Sequence, residues 1–125
     1  MKPSNVVAAI IKRDNLYFVA QRNKHKHMGM KWEFPGGKVE PNETLQEALE
    51  REIFEELSII INVHEKLAEE KYKDNEINIT LHYFLCTIKS GHIKLNEHEE
   101  QAWIKKSEFI KYDFVVGDGN ILPLI

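Results

Sequence analysis

The chain has 125 residues, is 42% hydrophobic and carries a formal net charge of −3. That length suits one domain, 1–125, around a single packed core, and the negative charge disfavours duplex nucleic acid as a partner. The longest apolar run, residues 6–11, is too short to span a membrane, the N-terminus lacks a secretory pattern, and the lone Cys86 reads as a small core residue of a cytoplasmic protein.

Residues 5–12 read as a buried strand, with Val6, Val7, Ala8, Ala9, Ile10 and Ile11 in one apolar run. Arg13-Asp14-Asn15 is turn chemistry, and residues 16–21 are the hairpin partner. Residues 23–30 form a basic loop that holds His25 and His27. Trp32, Glu33 and Phe34 make a short extended piece that ends at the breaker cluster Pro35-Gly36-Gly37. Val39 returns to a strand before Pro41-Asn42. A helix follows over about 44–57, with Thr44 as N-cap and Glu47 at the capping-box position. Residues 59–63 are apolar, a strand resumes over 66–72, and Asp74-Asn75 turns the chain.

Residues 76–88 alternate with a period of two. Ile77, Ile79, Leu81, Tyr83 and Leu85 share one face; Asn78, Thr80, His82, Phe84 and Cys86 share the other. The second face begins polar and ends apolar, as in a strand that leaves a cleft for a core. Ser90-Gly91 turns into residues 92–95. An acidic loop, 96–100, leads to a short strand over about 101–105. Residues 107–112 suit a helical turn capped by Ser107, and Gly117-Asp118-Gly119-Asn120 is a flexible junction. This order of elements predicts an α/β sandwich.

The predicted helix has an unusual surface. At about 100° per residue, Leu45, Ala48 and Leu49 point toward a core. Glu52 and Glu56 project along the same stripe, and Glu55 lies beside it. Carboxylates that follow an apolar stripe lose hydration, which is costly without a partner, and they repel one another unless a cation joins them. A dense set of hard oxygens suits Mg²⁺ or Mn²⁺ better than zinc. The six histidines show no zinc-ligand spacing. A lone Glu-Glu pair is usually a solvated helix face. Here the shared stripe and the preceding Gly-Gly turn and proline favour a metal site. Arg51 is a fork donor beside three carboxylates and suits the role of a clamp. In the Gly36-Gly37 turn no Cβ prevents close approach of a backbone carbonyl. Gly36-Gly37-Lys38 lacks the remainder of a P-loop.

These residues carry a resemblance. Gly37, Glu43, Arg51, Glu52, Ile53, Glu55, Glu56 and Ile59 match the spacing of the Nudix box, with Ser58 where that family usually has glycine. Trp32-Glu33-Phe34-Pro35-Gly36 and Gln21-Arg22 resemble the MutT-like branch, including its relatives that hydrolyse CTP. The resemblance covers nearly the whole chain and weakens after about Ser90.

The resemblance implies an α/β/α sandwich with a mixed central sheet and one main catalytic helix. It implies hydrolysis of a nucleoside triphosphate, of (d)CTP or oxidised dGTP type, to the monophosphate and pyrophosphate with Mg²⁺, or Mn²⁺ as substitute. Gly37, Glu52, Glu55 and Glu56 would hold metal, and Arg51 and Glu43 would support them. Glu97, counted back from Trp103, matches the late-loop acid of the family. Glu52, Glu55 and Glu97 all stay open as the general base. Arg22 matches a phosphate contact, Phe34 a wall of the base pocket, and Asp118 or Asn120 a reader of the base edge. The plain alternatives are a surface arginine, a core phenylalanine and an ordinary turn. Ser58 in a left-handed conformation costs roughly 1 kcal/mol and removes no catalytic atom. Two rivals remain. One is a different nucleotide substrate, such as ADP-ribose or a dinucleoside polyphosphate. The other is a non-catalytic binding module, against which the intact acids argue. A monomer and a homodimer fit equally.

Overall fold

A computed structural model of the chain describes residues 2–125. In order these form β1 (Ser4–Arg13), β2 (Leu16–Gln21), β3 (Trp32–Glu33), β4 (Gly36–Lys38), α1 (Leu45–Leu57), β5 (Ile60–Lys73), β6 (Asn78–Ser90) and β7 (Glu100–Ile104). A 3₁₀ helix (Lys106–Lys111), α2 (Val116–Ile121) and a last 3₁₀ turn (Leu122–Leu124) complete the chain.

The seven strands form one mixed sheet in the order β3-β2-β1-β6-β5, with β4 on β1 and β7 on β2. β1 and β6 run parallel, Ser4 facing Ile79 through to Ile11 facing Cys86. β1 divides along its length: Val6, Val7 and Ala8 pair with β4, while Lys12 and Arg13 pair with β2. The sheet therefore splays open on one side of β1.

β1 is apolar from Val6 to Ile11 because both of its faces are covered there. Val7, Ala9 and Ile11 pack with Ala48, Leu49, Ile53 and Leu57 of α1. Ala8 and Ile10 pack on the opposite side with Phe34, Tyr83, Phe109, Phe114 and Ile121. The result is the expected α/β/α sandwich. No helix among the described residues is long and apolar enough to cross a membrane.

α1 starts and stops on local chemistry. Thr44 Oγ1 accepts from Glu47 N at 3.1 Å, and Glu47 Oε1 accepts from Thr44 N at 2.8 Å, a complete capping box. Ser58 ends the helix at φ 59°, ψ 30°. Its hydroxyl accepts from Asn96 Nδ2 at 3.0 Å, and the same amide donates to Glu55 O at 2.9 Å. That bridge offsets part of the cost of a left-handed serine.

Several sequence expectations need correction. Gly36 and Gly37 are not a breaker but the strand β4 itself, opposite Ala8 and Val7. A Cβ on Gly36 would overlap the Val7 carbonyl, so only glycine permits this close pairing. Val39 lies outside β4 and its N–H donates to Asn5 O at 3.0 Å. β5 is one strand with register shifts between Val63 and Ala68, because bulges absorb the break in its pattern. Residues 92–95 run alongside the end of α1, where Lys94 N and Asn96 N bond the Leu57 and Glu56 carbonyls at 2.9 and 3.0 Å. Ser107 does not cap the 3₁₀ helix. Lys105 stands at its N-cap, and its N–H donates to Glu108 Oε1 at 2.9 Å. Residues 117–120 are no flexible junction but lie within α2, where Gly117 leaves room for Leu81 against the helix.

Candidate active site

The site lies where α1 crosses β4 and the splayed edge of the sheet. Arg51 organises its outer side. Nε and Nη2 donate to the two Glu43 oxygens at 2.7 and 2.9 Å, Nη1 to Glu52 Oε1 at 2.9 Å, and Nη2 also to Lys38 O at 3.0 Å. One guanidinium thus joins the loop before α1, strand β4 and the helix. The Arg51 hydrogen bond, helped by the Glu40 backbone N–H, pulls the Glu43 carboxyl down to about 2.

Inside this clamp, Glu52 presses on the backbone of Gly37, where a Cβ would overlap its carboxylate. Glu56 is 3% exposed. Burial foremost, then a hydrogen bond shared with Glu52 and the nearby charges of Glu33, Glu52 and Glu97, pushes its carboxyl far above the usual range. Burial without a cation thus favours the protonated form of Glu56. A cation that displaces this proton would relieve both the burial cost and the repulsion, so the donor set fits a divalent ion.

Glu55 and Glu97 stand further out. Glu55 is half exposed, 3.4 Å from Arg51 Nη1, and Glu97 pairs with Lys26 at 3.6 Å on the surface. His98, the next residue, turns inward instead. Its Nε2 lies 2.8 Å from Glu33 Oε2 and 3.8 Å from Glu56 Oε1. The other Glu33 oxygen accepts from Arg22 Nη1 at 2.7 Å. One ligand atom from each of Glu33, Glu56 and His98 falls within 4.8 Å of the others. In the sequence Glu33 stands only as a flank of the motif, and His98 carries no signal of its own. Nothing local marks either one, because a two-residue strand and an acidic loop lack the periodicity that reveals an inward face.

Next to the acids lies a cavity of about 240 Å³ with Arg22, Phe34, Gly37 and Asp118 among its lining residues. Tyr72, Ile79 and Leu81 give it an apolar wall. Arg22 is held by its Nε bond to His27 O at 2.9 Å and by Glu33. Phe34 is largely core, against Phe114 at 5.5 Å and Phe109 at 6.2 Å between ring centres.

Asp118 is buried at the cavity wall. Oδ2 accepts from Phe34 N at 2.8 Å and Oδ1 from Tyr83 OH at 2.5 Å. Burial raises its carboxyl to about 7, while the Tyr83 hydrogen bond pulls the other way. Asn120 turns outward, its Nδ2 donating to Glu70 Oε2 at 2.7 Å, and it does not line the cavity. The structure thus brings Gly37, Arg51, Glu43, Glu52 and Glu56 together beside Arg22, Phe34 and Asp118. It leaves Glu55 and Glu97 at the rim and Asn120 outside.

Comparison with known proteins shows the family of the whole chain. The NUDIX domain family matches residues 1–125. The chain is similar to the CTP pyrophosphohydrolase of Escherichia coli (strain K12), at 37% identity over 100% of this chain and 90% of that protein. It is 41% identical to the 8-oxo-dGTP diphosphatase of Proteus vulgaris over 69% of this chain and 78% of that one. The crystal structure of the MutT NUDIX hydrolase from Burkholderia pseudomallei is 25% identical and superposes with a TM-score of 0.91 over 100% of this chain and 99% of that chain.

Proposed function

The chain belongs to the Nudix family of hydrolases, which act on phosphoanhydride bonds, and we propose that its substrates are nucleoside triphosphates of the (d)CTP or oxidised dGTP type. The reaction is the MutT-like one, in which triphosphate and water give monophosphate and pyrophosphate. One observation carries the substrate class: a cavity with a buried carboxylate, Asp118, in its wall adjoins a cluster of acids suited to a cation. A base and a polyphosphate need that pair of neighbours.

A divalent cation, Mg²⁺ or alternatively Mn²⁺, would neutralise phosphate charge and supply an activated water. Gly37, Glu52 and Glu56 are the inner residues that would hold it, with Glu55 and Glu97 joining from the rim. Arg51 keeps Glu52 and Glu43 in register, so the acids need not reorganise when substrate arrives. Glu52, Glu55 and Glu97 are the candidate bases. Glu55 and Glu97 stand in solvent at the rim. Glu52 is screened from water and is our first choice.

Arg22 spends Nε and Nη1 on His27 and Glu33, and its Nη2 faces the task of holding a phosphate oxygen. Phe34 and the apolar wall would take the base, and Asp118 would read its edge. We assign the enzyme to the cytoplasm as a monomer or homodimer, without duplex nucleic acid or a membrane as partner. The test is pyrophosphate release from CTP, dCTP, 8-oxo-dGTP, 5-methyl-dCTP and ADP-ribose with Mg²⁺ present. Turnover of ADP-ribose alone would overturn the substrate class, and no turnover of any would overturn the enzyme.

A further inference from the structure

His98 is the one imidazole, among the described residues, that enters the acid cluster. Its side chain is 4% exposed, and its Nδ1 is buried without a hydrogen-bond partner among those residues. Nε2 reaches both Glu33 and Glu56, at 2.8 and 3.8 Å. Neutral imidazole offers one N–H and one lone pair. With Nε2–H donating to Glu33, no protein group satisfies the lone pair on Nδ1. Such an orphan is expensive in an interior. Nδ1 lies on the ring edge away from the acids; with the proton there, Nε2 turns a lone pair toward the Glu33 and Glu56 oxygens, an arrangement that a cation between them would satisfy.

We propose that Glu33, Glu56 and His98 form a mixed nitrogen–oxygen site for a first-row transition cation, Mn²⁺ or Co²⁺ in class, beside the oxygen-only position at Glu52 and Gly37. Moving the imidazole proton from Nε2 to Nδ1 turns the Nε2 lone pair toward the cluster, and Glu56 releases its proton to solvent as the cation enters. Two carboxylates and a neutral ring balance the 2+ charge. Ligand bonds of about 2.1 Å let two ligand atoms of one ion lie up to roughly 4.2 Å apart. The His98–Glu33 and His98–Glu56 distances already meet this bound, and Glu33 and Glu56, within 4.8 Å, need at most a side-chain adjustment. Arg22 on the far oxygen of Glu33 fixes that carboxylate, as supporting hydrogen bonds do around bound metals. Nitrogen is the discriminating donor. Mg²⁺ prefers oxygen and keeps its water, whereas imidazole suits the transition ions. The proposal rests on the cation-dependent reading of the site given above, since Glu56 serves both positions.

The test uses the full chain without nucleotide. Mn²⁺ binding is followed by electron paramagnetic resonance, with Mg²⁺ in competition, and pulsed measurements look for a nitrogen bound to the ion. Co²⁺-loaded protein is examined by proton NMR for the strongly shifted imidazole N–H of a bound ring. The wild type should show bound nitrogen. His98→Gln, which still offers Glu33 a donor, should lose that signal and bind Mn²⁺ about 10–100-fold more weakly, with a smaller change for Mg²⁺. An unchanged Mn²⁺ to Mg²⁺ ratio in His98→Gln overturns the proposal. So does a wild type that binds both ions without nitrogen coupling, a measurement that does not depend on the variant folding; the oxygen site then stands. A wild type that binds neither ion overturns this proposal and the metal-dependent reading together.

Discussion

The Glu52 carboxylate lies against Gly37 so closely that a methyl group on Gly37 would overlap it. The two ends of the motif are thus one contact: the strand must be bare where the helix acid lands. Gly37→Ala should push Glu52 off its position, lowering kcat by about 100-fold and destabilising the fold by about 1–3 kcal/mol. Gly119→Ala is the control, since its Cβ would meet nothing nearer than 4.0 Å from Phe114. It should keep full activity. Steady-state kinetics and urea denaturation of both variants decide, and equal behaviour would dismiss the contact as incidental.

Removing metal should remove activity. Excess EDTA should abolish pyrophosphate release and Mg²⁺ or Mn²⁺ should restore it, because burial disfavours the ionised Glu56 carboxylate until a cation joins it. Each ion should also raise Tm, since the converging acids exist only in the folded chain. Full turnover in chelator would remove Glu52 and Glu56 from the role of metal holders.

Glu56→Gln separates charge from shape. Losing an anionic ligand should cost about 100-fold or more in kcat. The metal-free protein should respond the opposite way. The Glu56 carboxyl sits far above its ordinary 4.5, so its contribution to stability is complete below about pH 4.5 and drains away as pH rises toward the folded value. Metal-free wild type should therefore lose Tm between about pH 5 and pH 9, and Glu56→Gln should lose less. Glu50→Gln, on the outer side of α1 beside Gln46, should change neither kcat nor the pH profile. Parallel Tm curves for wild type and Glu56→Gln would show that this carboxyl is not the titrating group.

What was legible in the sequence was what local chemistry determines. β1 announces itself as an apolar run, and β2 needs no more than a turn and a partner. α1 is legible to the residue: the Thr44–Glu47 capping box at one end, the left-handed Ser58 at the other. What was not legible depends on partners far along the chain. β4 is two glycines and a lysine, a poor strand by propensity, and it forms because Val7 and Ala8 lie across from it. α2 contains two glycines in six residues, yet Asp118 anchors it to Phe34 and Tyr83. The acid cluster was half visible. Glu52 and Glu56 share a helix stripe that periodicity exposes. Glu33 and His98 reach the same point from a two-residue strand and a loop 65 residues apart, and no spacing rule joins them.

Base recognition offers the sharpest separation among single residues. Asp118 lines the cavity and Asn120 does not, so the base preference should reside in the first. Asp118→Ala would strand two buried donors, Tyr83 OH and Phe34 N–H, at about 1–3 kcal/mol each, so Asp118→Asn is the better probe. It should shrink the ratio of kcat/KM between two bases by about tenfold or more while leaving metal-dependent hydrolysis in place. Asn120→Ala should leave the ratio unchanged, because its amide is spent on Glu70. Arg22→Ala should weaken all triphosphates alike, since phosphates are common to them. A pH dependence follows as well. The Asp118 carboxyl lies at about 7, raised from 3.8 by burial. Its contribution to stability is full below about pH 3.8 and is lost as pH rises through about 7. Over the same range it changes from a group that can donate a hydrogen bond to one that only accepts. Base preference in the wild type should therefore shift between about pH 6 and pH 8, and Asp118→Asn should flatten that shift. If the ratio is insensitive to pH in the wild type and to the asparagine, the base is read elsewhere on the cavity wall, with Tyr72 and Ile79 next in line.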